Sequence, residues 1–61
     1  METIYTLEQM CEILQIHYQT VLKLLRSRQL QGFKLGREWR ITKRDLELYV
    51  QQEKDKLVLH A

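Results

Sequence analysis

Between Tyr18 and Ile41 the chain reads YQTVLKLLRSRQLQGFKLGREWRI, a helix-patterned basic run that leads directly into a compact, glycine-tipped hairpin pattern. In the first half, Val21, Leu24 and Leu25 define an apolar stripe, while Tyr18, Gln19, Leu22, Lys23 and Arg26 fall largely on other faces, which predicts a helix over about residues 18 to 27. In the second half, Phe33, Leu35, Trp39 and Ile41 share odd parity while Lys34 and Arg40 are even. Pairing Leu35 with Trp39 and Phe33 with Ile41 gathers the four apolar side chains on one face and leaves Gly36-Arg37-Glu38 as the loop.

The flanks extend the pattern. Thr6 followed by Gln9 is a capping-box signature, and Leu7, Met10, Cys11 and Leu14 follow at i, i+3, i+4 and i+7, so a first helix is expected over about residues 7 to 14. Gln15-Ile16-His17 breaks the pattern and is short enough for the turn of a helix-turn-helix, with Ile16 filling the space between the helices. Thr42 with Asp45 makes another cap, and Leu46, Tyr49 and Val50 give a third helix its apolar face. With no Gly or Pro to stop it, this helix is expected to reach about Lys56, leaving an apolar tail at residues 57 to 61 and a terminal His60 without order. The expected fold class is α+β, mostly α: one winged helix-turn-helix domain over residues 1–61, core about 5–52, with three helices and a two-stranded hairpin wing.

Composition narrows the function classes. Residues 1 to 17 carry −3, residues 18 to 44 carry +7 and residues 45 to 61 carry −2, so the net charge of +2 conceals a basic middle. A polyanion responds to the field within about one Debye length, roughly 8 Å at physiological salt, and nucleic acid is therefore the first partner to consider. No apolar run approaches the ~18 residues of a membrane span, and the N-terminus lacks a secretory pattern, so a cytoplasmic location, associated with the nucleoid, is expected. Cys11 on the apolar face of the first helix reads as a small buried hydrophobe, and Cys11, His17 and His60 do not have metal-ligand spacing. No paired carboxylates, nucleophile set or phosphate-cradling loop stands out, so neither catalysis nor a cofactor is expected.

The string from Tyr5-Thr6 through Thr20-Val21, Leu24-Leu25 and Phe33-Lys34-Leu35-Gly36-Arg37-Glu38-Trp39-Arg40-Ile41 to Asp45-Leu46 resembles the small excisionase-type DNA-binding domains, themselves similar to the winged-helix module of mercury-resistance-type (MerR) regulators. The resemblance covers about residues 5 to 50. It implies a second helix in the major groove, with His17 to Lys23 reading bases, and a wing clamping phosphate or the adjacent minor groove. It further implies a factor that binds and bends attachment-site DNA cooperatively and directs an integrase, or else a small transcriptional regulator. His17 stands where such domains usually carry a capping Ser or Thr, a stronger cap, and Gln15 where a small residue is common.

Within that frame His17, Tyr18, Gln19, Thr20, Lys23 and Arg26 are the candidate recognition-helix residues. Gln can pair with adenine, Lys with guanine or phosphate, and a Thr hydroxyl with phosphate. Lys34, Gly36, Arg37 and Arg40 are the candidate wing residues, their bland alternative being edge-strand protection by charge. Arg26 and Arg28 also suit the negative end of the helix dipole. Trp39 reads as core, and Lys43 and Arg44 as solvated. The competing class is a protein-interaction module whose basic face is incidental.

Overall fold

The computed structural model describes residues 1–59, and the expectation for His60 falls outside them, as does Ala61. The elements run β1 (Ile4–Thr6), α1 (Leu7–Leu14), α2 (Tyr18–Arg26), β2 (Phe33–Leu35), β3 (Glu38–Thr42) and α3 (Lys43–Leu59). Three helices and a hairpin make the expected winged helix-turn-helix. β1 adds a third strand that the sequence reading lacked, giving an antiparallel sheet in the order β1-β3-β2.

Local chemistry sets the helix ends. At α1 the capping box is complete: Thr6 Oγ1 accepts from the Gln9 N–H at 3.1 Å and Gln9 Oε1 accepts from the Thr6 N–H at 2.9 Å. α1 ends at Gln15, which takes the left-handed conformation (φ 56°) while its side-chain amide donates to the Glu12 carbonyl. His17 then caps α2 after all, its Nδ1 accepting from the Gln19 N–H at 3.1 Å, so the helix begins at Tyr18 despite the unusual capping residue. α2 closes on Arg28, also left-handed (φ 64°), whose N–H donates to the Leu25 carbonyl at 3.2 Å. The Leu30 N–H reaches back to the Leu24 carbonyl at 3.1 Å.

A β-carbon in the left-handed region costs roughly 1–2 kcal/mol, whereas glycine's extra unfolded-state freedom costs about 0.4–1 kcal/mol. Arg28→Gly should therefore stabilise the domain by roughly 0.5–1 kcal/mol, read as a melting temperature higher by about 2–8 °C. A lower melting temperature would mean that the Arg28 side chain holds the turn.

The core is Met10, Val21, Leu25, Leu30, Ile41 and Leu46, one contiguous cluster under both helices of the turn and the central strand. Ile16 packs against it partly buried, and Cys11 and Trp39, read from the sequence as buried and as core, also reach it only partly buried, while Leu30 is a core residue that the periodicity did not reveal. Gly32 sits where the chain passes under α2: a Cβ there would collide with Leu25 Cδ2 and lie 3.0 Å from the Arg40 carbonyl.

The hairpin register differs from expectation by one residue. Leu35 pairs with Glu38, Lys34 with Trp39 and Phe33 with Arg40, so the loop is Gly36-Arg37 rather than Gly36-Arg37-Glu38. The position of the glycine decides this. A three-residue loop needs its left-handed residue last, whereas here the first loop residue, Gly36, has φ 67° and Arg37 does not, as in the two-residue type II′ turn. A slip of one residue flips β2 relative to β3, so Phe33 and Leu35 leave the core face and Lys34 joins Trp39.

The third helix also runs further than expected, through Leu59, so residues 57–59 continue α3 rather than forming a tail. Thr42 caps it, its Oγ1 accepting from the Asp45 N–H at 3.1 Å. Along α3 partial burial pushes the Tyr49 phenol above its ordinary value, and neighbouring Glu53 pushes in the same direction.

Candidate nucleic-acid interface

On α2 the apolar face that holds Val21 and Leu25 against the core leaves Gln19, Lys23 and Arg26 at i, i+4 and i+7, forming one outward row. Tyr18 and Leu22 flank this row, and together with Ser27 these side chains line the open outer surface of the helix. The hairpin stands beside it. Between the two lies a trough of about 420 Å³ lined by Tyr18, Leu22 and Arg26 from α2, by Lys34, Arg37, Glu38, Trp39 and Arg40 from the hairpin, and by Thr6, Leu7 and Glu8 where α1 begins.

Of the ten residues singled out from sequence, Tyr18, Arg26, Lys34, Arg37 and Arg40 meet in this trough. Gln19 and Lys23 extend it along the outer row of α2. Thr20 is exposed but lines neither surface, His17 is committed to capping, and Gly36 supplies the turn. The contribution from α1 was not foreseen, because nothing in the pattern of Thr6-Leu7-Glu8 beyond its cap marks it as facing the hairpin.

The cations differ in how far they are already engaged. Lys34 Nζ lies 5.0 Å from the centre of the Trp39 ring, a cation–π distance. Arg40 donates from Nη2 to Glu38 Oε2 at 2.8 Å and from Nη1 to the Trp39 carbonyl at 3.0 Å, with its side chain only 21% exposed. Lys34 and Arg40, expected together on an outward face, therefore lie on opposite faces of the hairpin. Lys23, Arg26 and Arg37 are exposed and make no ion pair among the described residues. The Glu38-Arg40 pair was readable in principle, since residues two apart on a strand share a face.

Two helices joined by a three-residue turn, a hairpin beside the second and a basic trough between them define a winged helix-turn-helix. Residues 4–54 match the helix-turn-helix domain family, and the chain belongs to it. No curated protein and no solved structure matches the chain. Among the described residues no three His, Cys, Asp or Glu side chains cluster as a metal site would need, and no helix is long and apolar enough to cross a membrane.

Proposed function

We propose that this domain is a sequence-specific double-stranded DNA-binding protein, with α2 in the major groove and the hairpin along the flanking backbone and in the adjacent minor groove. The observation that carries the reading is the basic trough between them, to which helix and hairpin both bring cations. Gln19, Lys23 and Arg26 form the row that faces base edges and nearby phosphates, with Tyr18 and Thr20 at its margins and His17 fixing where the helix starts. Arg37 and Lys34 engage phosphate from the wing, and Gly36 lets the turn approach closely.

The biological role we propose is that of an excisionase-type recombination directionality factor, which binds repeated sites cooperatively, bends attachment-site DNA and directs an integrase. The resemblance to such domains supports this role, and energetics supports its cooperative binding. One short half-site gives a lone domain little discrimination, since each base pair contributes only about 1–3 kcal/mol, so cooperative neighbours on DNA are needed.

Selection of bound duplexes from a random pool, followed by salt titration and a bending assay on the recovered sequence, tests both levels. Four engaged cations, Lys23, Arg26, Lys34 and Arg37, predict a slope of log K against log salt of about −3 to −4, at roughly −0.9 per phosphate. Recovery of a repeated motif that the protein bends supports the directionality factor, and a single unbent motif favours a small MerR-like transcriptional regulator. No enrichment at low salt leaves the basic face incidental and the domain a protein-interaction module.

A further inference from the structure

We propose that Leu35, backed by Phe33, is an apolar wedge with which the hairpin enters the minor groove and opens a base step. The proposal rests on the DNA-binding reading and adds to it a residue that does not act through charge. Its starting point is the register: Phe33 and Leu35 occupy the face of the sheet turned away from Trp39 and Ile41, and they remain 37% and 59% exposed. Other large apolar side chains are exposed elsewhere, among them Ile4, Ile13, Leu48 and Leu57, but Phe33 and Leu35 stand two apart on one face of the strand that leads into the cationic hairpin tip, where an apolar pair favours an occupant.

The surroundings favour nucleic acid. Directly across from Leu35 stands Glu38, whose carboxylate would repel a phosphate backbone, but Arg40 holds it at 2.8 Å and neutralises it. Arg40 on this reading is a positioning residue that keeps the wedge face electrically quiet, while the exposed cation at the tip is Arg37. The tip is also narrow: the loop has two residues, and a Cβ at Gly36 would meet nothing within 4 Å. A slim tip suits a minor groove only about 6 Å wide. Size argues against a protein partner, because a stable interface takes about 800 Å² from each side, whereas a DNA wedge needs only one or two apolar side chains.

The test uses the duplex recovered by selection, with 2-aminopurine placed in turn at its adenines and fluorophores at its ends to report bending. The unmodified domain should raise 2-aminopurine fluorescence at one step. Leu35→Gln should abolish that rise and reduce the bend by at least about half, with an unchanged melting temperature and a salt slope altered by less than about 0.3, because no phosphate contact is lost. Leu35→Met should restore both signals. Bending and fluorescence that persist in Leu35→Gln overturn the wedge while leaving DNA binding intact. Loss of cooperativity with single-site bending unchanged also overturns it, and assigns the face to a neighbouring protein. Failure of the unmodified domain to bind any duplex defeats the underlying reading as well.

Discussion

Replacing Lys23 and Arg37 together with glutamate is expected to weaken duplex binding on the order of 100-fold at physiological salt, because each lost phosphate contact is worth roughly fivefold there and each reversal adds repulsion. The two residues sit on different elements, the outer row of α2 and the turn of the hairpin, so the pair asks whether helix and wing engage the same duplex at once. Both are exposed and neither has an ion-pair partner among the described residues, so the fold should survive. Fluorescence anisotropy between about 50 and 200 mM salt should show a slope less negative by about 2, with an unaltered circular-dichroism melt. Affinity within threefold of the parent would remove both residues from the interface. Arg40→Gln gives the contrast: with its guanidinium already bound to Glu38 and the Trp39 carbonyl, its loss should alter the melt more than the salt slope.

Leu25→Ala should come close to unfolding the domain. Leu25 is 2% exposed on the inner face of α2, and Gly32 passes directly beneath it. A buried Leu→Ala change costs about 2–5 kcal/mol, while the whole stability expected of 61 residues is only about 3–9 kcal/mol. The melting temperature should fall by roughly 10–30 °C, and duplex binding near 37 °C should fall with the folded fraction. Leu48, half exposed on α3, is the control, and its change to Ala should cost under about 1 kcal/mol. A loss of similar size at the two sites would mean that the cluster under α2 is not the core.

These two expectations draw on different degrees of legibility in the sequence. The inner face of α2 was evident, because Val21, Leu24 and Leu25 repeat at helical spacing and nothing else competes for the core side. The boundaries of α1 and α2 followed from Thr6, Gln9 and the broken pattern at Gln15-Ile16-His17. The hairpin existed on paper, but its register did not follow from parity, since two pairings differing by one residue are separated only by which loop position must take positive φ. That one-residue difference decides where Lys34, Phe33 and Leu35 point, so much of the wing's surface chemistry was hidden with it. β1 escaped because three residues are too few to show alternation, and Leu30 because an isolated apolar residue between Gln29 and Gln31 has no periodic neighbours. The end of α3 had no glycine or proline to mark it.

The pairing of β1 with β3 bears on the order of events as the chain folds. Tyr5 and Ile41 face each other from positions 36 apart, and the Lys43 N–H donates to the Thr3 carbonyl at 2.9 Å, whereas α1 and α2 close through neighbours along the chain. Joining ends so far apart costs about 3 kcal/mol in loop entropy, an expense that local helix formation avoids. The helical turn and the two-residue hairpin therefore have the head start, and β1 joins the sheet when the two ends of the core segment zip together in the slow, non-local step.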